Sequence, residues 1–264
     1  MSTTSPPFIF GIPFRSKASS KDWARSQALL ASTLRSVFSQ TDSDFQVVIA
    51  CHETPDIAEI RDPRVTVLNT ATPTPTNLVE QMRDKGHKRK MLTVEWRRRG
   101  GGYFMLLDAD DLVSRRLVQH VRENPAENGY LIKQGYLYDV AAGSCKPSAR
   151  LNEICGSCTI FRMDPEDLPE SIEDETPRLI GKYRNHQTFE EDGRRLGRAF
   201  GVIPFPAAIY VIGHGENYTA DKRPPGLKKH LHRAANALSR AVGFHRLRDQ
   251  VRDEFTLRGA DYAR

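Results

Sequence analysis

Three carboxylates, Asp108, Asp110 and Asp111, directly follow an apolar run at residues 103–107. Such a run predicts a strand buried on both faces, and open α/β sheets bind ligands beyond the carboxyl ends of their strands. If the chain stays extended, Asp108 and Asp110 point to the same side, because side chains alternate along a strand. Two acids on one side favour a hard cation such as Mg²⁺ or Mn²⁺, which commonly carries substrate phosphates.

A structural explanation of the same acids is also open. Asp110 or Asp111 could simply cap the helix that the sequence predicts next. A cap needs a single side chain, however, and Ser114 could already serve. Repulsion within a cluster of three acids costs stability unless a cation offsets it. The sequence therefore favours a cation site over a helix cap.

A second cluster, Lys88, Arg89 and Lys90, stands where the sequence predicts that a helix begins after Gly86. Cations oppose the helix dipole at that end, so a basic first turn makes more sense if it binds an anion. A phosphate at a helix N-terminus gains from both backbone N–H groups and side-chain charge. Together with the acids, these cations indicate a diphosphate site; a solvated basic turn is the alternative.

Two histidines are further candidates for chemistry. His214 ends a predicted strand between Gly213 and Gly215, and imidazole suits Mn²⁺ or another transition ion better than Mg²⁺. His186 and Glu190 are four positions apart, so on a helix they would share a face. Either could be a general base if its pKa lies near neutrality, and a hydrogen-bonded surface pair is an equal alternative.

Hydrophobic periodicity predicts the elements that must position these residues. We predict strands at 8–13, 45–50, 64–68 and 103–107, with helices after residue 22, at 78–84 and at 88–99. Alternation of this kind indicates βαβ units and a parallel sheet. Later strands are predicted near 130–132, 136–138, 159–161 and 207–212, and a helix at 184–196. The predicted fold class is α/β, with a mixed, mostly parallel, Rossmann-like central sheet flanked by helices.

The composition predicts a water-soluble, cytoplasmic protein. Charged residues make up 27% of 264 residues, and the net charge of +6 permits anionic partners without choosing among them. No apolar run approaches the roughly 20 residues of a membrane helix, and the N-terminus lacks a signal sequence. Four cysteines are too few for a disulfide scaffold. Cys155 and Cys158 could bind zinc with His186 and His214, but reduced core cysteines are favoured.

A basic tail is predicted beyond the first domain. We assign residues 1–220 to one domain and 221–264 to the tail, with the boundary marked by Pro224, Pro225 and Gly226. The tail is predicted to be an amphipathic helix, with one apolar stripe and a cationic face. The stripe is Leu227, Leu231, Ala234, Leu238, Ala241 and Val242, and the cations are Lys228, Lys229, Arg233, Arg240, Arg246 and Arg248. Packing on its own domain is favoured, and peripheral contact with the inner face of a membrane is the alternative.

The ordered set of motifs resembles the GT-A fold glycosyltransferases, particularly the family 2-like group. Residues 29–56 are similar to that family's first helix and second strand, and FMLLDADD at 104–111 to its DxD motif. Residues 194–217, with VIGHGEN near the end, resemble its closing helix, strand and metal-proximal histidine. The resemblance covers most of residues 8–218. His52 and Glu53 depart from the acids usual after the second strand, and Thr188 and Phe189 from the acidic pair expected before the closing helix.

This resemblance implies transfer of a sugar from a nucleotide-diphosphate donor to a glycan or other hydroxyl acceptor, with inversion at the anomeric carbon. It implies Mn²⁺ or Mg²⁺ as cofactor, held by Asp108, Asp110 and His214. His186 and Glu190 are the nearby candidates for the catalytic base. The residues expected to contact the donor are Pro13, Arg15, His52, Lys88, Arg89, Asp108 and Ala109.

Two other functions are weighed against this hypothesis. A sugar-1-phosphate nucleotidyltransferase shares a related sheet but relies on a glycine-rich phosphate loop after the first strand, and residues 11–17 are not glycine-rich. A non-enzymatic protein that binds nucleic acid or anionic lipid through its tail is the second. No RNA-binding aromatic motif or zinc-finger spacing supports it, so no nucleic-acid partner is expected.

Overall fold

Residues 6–216 and 243–258 of the chain are described by the computed structural model. Within them the strands are β1 (Phe8–Pro13), β2 (Gln46–Cys51), β3 (Val65–Asn69), β4 (Gly102–Leu106), β5 (Leu112–Val113), β6 (Gly129–Leu131), β7 (Gly135–Asp139), β8 (Ser144–Ser148), β9 (Thr159–Met163), β10 (Gly201–Val202), β11 (Ala208–Ile212) and β12 (His245–Arg246). The α-helices are α1 (Trp23–Phe38), α2 (Leu78–Arg98), α3 (Leu117–Glu123), α4 (Phe189–Arg195) and α5 (Asp249–Glu254).

The main sheet has seven strands in the order β10-β6-β9-β4-β1-β2-β3. β1 lies parallel to β2 and β4, and β2 lies parallel to β3. β9 runs antiparallel to both of its neighbours, β4 and β6. The predicted class, a mixed and mostly parallel sheet flanked by helices, is confirmed. Because β1, β2 and β4 are parallel, their last residues meet at one edge of the sheet, which we call the carboxyl edge.

Alternating side chains of the central strands bury both faces of this sheet. Phe10 of β1 and Met105 of β4 lie in the core on one side, together with Leu34 of α1. Ile9 and Phe104, their neighbours along the same strands, lie in the core on the other side, which includes Leu92 and Trp96 of α2. A strand buried on both faces reads as a continuous apolar run, which is why residues 103–107 predicted β4 correctly.

The helix α1 begins and packs as its sequence pattern predicts. The side chain of Asp22 caps it by accepting a hydrogen bond from the N–H of Arg25. Its apolar stripe faces the sheet, and Leu30, Leu34 and Val37 are fully buried. The capped N-terminus of α1 lies next to the carboxyl edge, where it holds part of the candidate site.

The helix α2 is one continuous helix of 21 residues, and the predicted break at Gly86 is wrong. A side chain added at Gly86 would meet no atom within 4 Å, so the residue lies in open space and does not mark a close approach. The buried positions of α2 recur every fourth residue: Asp84, Lys88, Leu92 and Trp96. This buried stripe is polar at the end near the carboxyl edge and apolar further along the helix.

A second sheet of five strands has the order β12-β8-β7-β11-β5. β11 lies parallel to β7 and antiparallel to β5, the short strand that follows the acid cluster. Leu247, Phe255 and Leu257, near the C-terminus, are buried with residues of this sheet such as Ile209. The end of the described chain therefore packs on the second sheet.

The predicted helical tail lies largely outside the described residues, which omit 217–242. Of its predicted cationic face, Arg246 lies in β12 and Arg248 precedes α5, so these two do not belong to one long amphipathic helix. That part of the prediction is wrong, while the division at residue 220 stays a prediction. Among the residues described, none of the helices has the length and apolar character needed to cross a bilayer.

Candidate functional site

The acid cluster lies in a turn at the carboxyl edge. β4 ends at Leu106, and the N–H of Asp111 then donates to the carbonyl of Asp108 at 3.1 Å. The expectation of an extended chain with Asp108 and Asp110 on one side is therefore wrong. Instead, each carboxylate has its own surroundings: Asp108 contacts α2, Asp110 faces His214, and Asp111 points into the core.

Asp111 is a structural anchor for this turn. Its carboxylate is fully buried and accepts hydrogen bonds from Ser157 Oγ at 2.7 Å, Cys155 Sγ at 3.3 Å and the N–H of Val211 at 3.2 Å. Burial, followed by repulsion from Asp110 and Asp108, raises the pKa of Asp111 well above its ordinary value.

The helix-cap explanation of the acids is wrong. The capping position of α3 is Arg116, and no side chain caps it. The cap would have required Asp110 or Asp111 to lie next to the first turn of α3. Since Asp111 is bonded to other elements, the acids at the carboxyl edge need another explanation.

Asp108 is the carboxylate that contacts cations. Lys85 Nζ on α2 lies 2.8 Å from its Oδ1, and its backbone N–H donates to Ser157 Oγ at 2.9 Å. Burial would raise the pKa of Asp108, but the charges of Lys85 and then Arg89 outweigh it, so this pKa lies below its ordinary value. A side chain at Gly156 would come within 2.9 Å of Asp108 Oδ2, so a glycine there leaves the carboxylate room.

Asp110 and His214 converge from different sheets. His214 Nε2 lies 3.0 Å from Asp110 Oδ2, within ion-pair distance. The alignment is not that of a hydrogen bond, so the buried Nε2 has no hydrogen-bond partner. Asp110 follows β4 of the main sheet and His214 follows β11 of the second. A buried ring nitrogen facing a carboxylate without a hydrogen bond is the arrangement that two ligands of one cation would leave.

Glu216 holds the His214 turn in place. Its carboxylate accepts hydrogen bonds from the N–H groups of Lys21 and Asp22, at 3.1 and 2.9 Å, at the start of α1. The guanidinium of Arg15 forms an ion pair with the same carboxylate and donates to the carbonyl of Glu216 at 2.6 Å. A carboxylate at a helix N-terminus is favoured by the dipole and by free backbone donors. The turn after β11 is thereby tied to the segment between β1 and α1.

The carboxylate of Asp110 and the imidazole of His214 suit a divalent cation that takes only two of its ligands from the protein. A carboxylate suits Mg²⁺ or Mn²⁺, and an imidazole shifts the preference from Mg²⁺ towards a transition ion. Within residues 6–216 and 243–258, no group of three or more His, Cys, Asp or Glu is arranged to hold a metal ion. Mg²⁺ is commonly held by one or two carboxylates, with water and substrate phosphates in the other positions, so two protein ligands are compatible with such a site.

One contact of His214 opposes ligation through Nε2. Its Nδ1 accepts a hydrogen bond from the N–H of Glu216 at 3.2 Å. A neutral imidazole that offers Nε2 to a metal carries its proton on Nδ1, where it would face that N–H. Metal binding therefore requires this contact to open. The glycines on either side, Gly213 and Gly215, have φ of 81° and 88°, and a turn built from glycine can adjust at low cost.

Lys88 is in the interior of α2 and not at a helix N-terminus, so the predicted helix-terminus phosphate site is wrong. It is 1% exposed and lies 2.7 Å from Asp84 Oδ2, one turn earlier. His52 Nε2 lies 3.7 Å from the other oxygen of Asp84, and Nδ1 of this histidine is buried without a hydrogen bond. Lys85 is thus the lysine of α2 that reaches the acid turn.

The remaining donor-contact predictions find different surroundings. Pro13 is buried within β1, in register with Ala50 of β2. Arg15 is engaged with Glu216, and Ala109 packs against the core beneath the turn. Arg89 is exposed on α2 and its charge acts on Asp108. These side chains all lie at or beside the carboxyl edge, and their contact with a donor stays a prediction.

His186 and Glu190 do not share a helix face, because α4 begins only at Phe189. Glu190 is bound to Lys133 Nζ at 2.9 Å and to Arg194, and the hydrogen bond from Lys133 chiefly lowers the pKa of Glu190. His186 is half-buried, and burial lowers its pKa although the charge of Asp108 opposes this. A neutral imidazole near Asp108 is the better proton acceptor of the two.

Sequence reasoning missed several residues of this site. Lys88 was predicted, but its partner Asp84 was not, although the two have the four-residue spacing of a helical ion pair. Ser157 gave no comparable signal, because its partners lie far away in sequence. Cys155 and Cys158 are free, buried thiols, and Cys155 serves Asp111 as a hydrogen-bond donor.

The fold and the site define a mixed α/β protein with an acid turn at the carboxyl edge of a mostly parallel sheet. No protein-family model and no curated protein sequence matches the chain. Among solved structures, it is similar to a provisionally named nucleotide-diphospho-sugar transferase from Desulfovibrio desulfuricans G20, with 13% identity and a TM-score of 0.38, over 88% of this chain and 97% of that one.

It is also similar to CMP:2-keto-3-deoxy-manno-octonic acid synthetase complexed with CTP. The identity there is 9% and the TM-score 0.34, over 90% of this chain and 100% of the other. At these scores neither likeness fixes the function of this chain.

Proposed function

We propose that the chain is a metal-dependent glycosyltransferase that moves a sugar from a nucleotide-diphosphate donor to an acceptor hydroxyl. The convergence of Asp110 and His214 at the carboxyl edge is the observation that carries most weight. Lys85 and Arg89 stand on the other side of the acid turn and act on Asp108. Acids for a cation and cations for phosphates are the two parts of a diphosphate site.

Asp110 and His214 would hold Mn²⁺ or Mg²⁺, with phosphate oxygens and water as the other ligands. When bound, such an ion supplies positive charge that stabilises the leaving diphosphate. Lys85, which already neutralises Asp108 at 2.8 Å, can turn to a phosphate oxygen when a donor arrives. The chain therefore offers charge of both signs within one turn and one helix face.

His186 is the group that we assign to proton transfer. The acceptor hydroxyl gives its proton to the neutral ring of His186, and its oxygen forms a bond to the anomeric carbon. The bond from that carbon to the phosphate oxygen breaks, and its electron pair leaves with the nucleoside diphosphate. A single displacement of this kind inverts the anomeric carbon. General-base catalysis typically contributes about 10²–10⁴-fold.

Ligand-induced stabilisation tests the donor class. UDP-, GDP- and dTDP-sugars are added to the full chain with and without Mn²⁺, and the unfolding temperature is recorded. A matching donor at about 100 times its Kd should stabilise the fold by about 2.7 kcal/mol, which is several degrees for a domain of this size. The shift should require Mn²⁺ and vanish in Asp110→Ala.

Product analysis separates this proposal from a nucleotidyltransferase. With a nucleotide sugar and an acceptor, a glycosyltransferase releases a nucleoside diphosphate. With a nucleoside triphosphate and a sugar phosphate, a nucleotidyltransferase releases pyrophosphate. Pyrophosphate release together with no turnover of any nucleotide sugar would reject the proposal.

A further inference from the structure

A cavity of about 510 Å³ lies between α2, the strands β4 and β9, and the segment 169–189. This volume is within the range of about 300–1,000 Å³ that small-molecule sites occupy. Of the residues given a role so far, Arg89 and His186 line this space, whereas Asp110, His214 and Lys85 do not. We call it the aromatic cavity, because Phe104, Phe161, Tyr183 and Phe189 are among the residues that line it.

The aromatic cavity adjoins the acid turn. Gly156 lines the cavity, and a side chain added there would meet Asp108 Oδ2 at 2.9 Å. Arg89 and His186 also line it, and both are near enough to Asp108 to interact with it electrostatically. A molecule in the cavity could therefore present a hydroxyl to His186 next to the acids.

The apolar residues that line the aromatic cavity favour a ligand with an apolar part. Besides the four aromatic residues, Leu106 and Ile180 line the cavity. Phe161, Tyr183 and Phe189 form an edge-to-face cluster with ring centroids 5.1–6.1 Å apart. Such rings offer broad contact area to an apolar or aromatic group.

The charges around the cavity favour an anion. Arg178 pairs with Asp174 at 3.2 Å, Lys90 lies 3.5 Å from Glu175, and Arg184 pairs with Asp192, which itself does not line the cavity.

Two lining cations remain. Arg89 and Lys182 have no side-chain hydrogen bond or ion pair with any residue in 6–216 or 243–258. Both are exposed at the cavity, where an anionic group would gain from them.

We propose that the aromatic cavity binds the acceptor, and that the acceptor joins an apolar or aromatic body to an anionic group. This inference rests on the proposed glycosyl transfer and names the class of its second substrate. The apolar body lies against the phenylalanines, the anionic group lies near Lys182, and the hydroxyl faces His186.

The test uses two fluorescent probes of the same shape with the full chain. 8-Anilinonaphthalene-1-sulfonate has an apolar aromatic body and an anionic group, whereas N-phenyl-1-naphthylamine lacks the anion. Both should bind with saturation at one site, with the sulfonate binding more tightly. Lys182→Gln should weaken the sulfonate about 2- to 5-fold, as for a single exposed charge contact. It should leave the neutral probe unchanged.

A variant in which the cavity is partly filled should bind both probes more weakly. Gly181 lines the cavity, and a Cβ added there would meet no atom within 4 Å, so Gly181→Leu adds apolar volume at the cavity wall without a clash at Cβ. Gly86 is equally free of neighbours but does not line the cavity, so Gly86→Leu is the matched control. Gly181→Leu should weaken both probes about tenfold or more, and Gly86→Leu should not.

These outcomes separate the inference from the proposed function. Unchanged binding of both probes in a folded Gly181→Leu variant, or equal loss of both in Lys182→Gln, overturns the inference. Gly181→Leu should still give the nucleotide-sugar thermal shift, because the donor lies elsewhere. If the unaltered chain binds both probes but shows no thermal shift with any nucleotide sugar, the result instead counts against the glycosyltransferase proposal.

Discussion

His214 Nε2 and Asp110 Oδ2 lie 3.0 Å apart although they follow strands of different sheets. The imidazole is buried, and no hydrogen bond joins the two atoms. The contact links the main sheet to the second sheet at the point where we place the chemistry.

Replacement of Asp110 by Asn should abolish metal-dependent transfer while the protein stays folded. The amide keeps the shape of the side chain but removes the charge that would hold the cation. Loss of one such electrostatic contribution costs about 10²–10³-fold or more in kcat. The measurement is nucleoside diphosphate release, with circular dichroism to check folding. Asp56→Asn, at an exposed acid, is the control, and wild-type turnover in Asp110→Asn would reject the metal role.

Replacement of His186 by Asn should reduce kcat by about 10²-fold and change the pH profile. A base must be unprotonated, and burial lowers the pKa of His186 against the opposing charge of Asp108, with Arg89 and Lys85 also lowering it. In the unaltered enzyme, activity should therefore fall only below about pH 6.5, the ordinary pKa of histidine. That acid limb should disappear in the variant.

The control for this experiment is His245→Asn, at an exposed histidine of β12. It should keep both the rate and the acid limb. A His186→Asn variant with an unchanged profile would assign the base to another group, and a change in KM alone would make His186 a binding residue.

Replacement of Lys88 by Met should destabilise the fold by about 3–5 kcal/mol, because it leaves the buried Asp84 carboxylate without its partner. The pair is 2.7 Å apart, and its side chains are 1% and 7% exposed. The free energy of unfolding in urea is the measurement. The double variant Asp84→Asn, Lys88→Met should be less destabilised than the sum of the single variants. Strict additivity would show that the two charges do not stabilise each other.

The cysteines should be unreactive in the native protein. All four are buried. Burial raises the pKa of Cys51 to about 11 and that of Cys158 to about 12. Only the thiolate reacts, and at pH 8 about one Cys51 thiol in a thousand would be ionised. A chromogenic disulfide reagent should therefore titrate four thiols in guanidinium chloride and almost none without it. Rapid labelling of the thiols in the native protein would contradict their burial.

Much of the fold could be predicted because its signals are local. The apolar runs of β1, β2 and β4 and the apolar stripe of α1 each lie within one element, and each element lies where the sequence places it. The predicted break at Gly86 is wrong because a glycine in a helix interior is only a weak breaker when its neighbours favour the helix. The helix predicted at 184–196 also starts too early, because α4 begins at Phe189.

The candidate site could be predicted only in part. The acids and His214 were found because each follows an apolar run that ends in polar residues. Their partners could not be found, because the bonds from Ser157 to Asp111 and from Lys21 to Glu216 join distant segments. The chain turns at Asp110, so the alternation of side chains along an extended strand does not apply there.

The bond network of Glu216 has a consequence for how the protein is made. Its partner Arg15 is 201 positions earlier in the chain, so the contact closes only after nearly the whole main domain has been synthesised. Contacts of such long separation form late in folding. A nascent chain that has already assembled β1, β2 and β4 would still lack an anchored histidine. Catalytic competence would thus be withheld from shortened products and early intermediates until Glu216 has been synthesised and can reach Arg15.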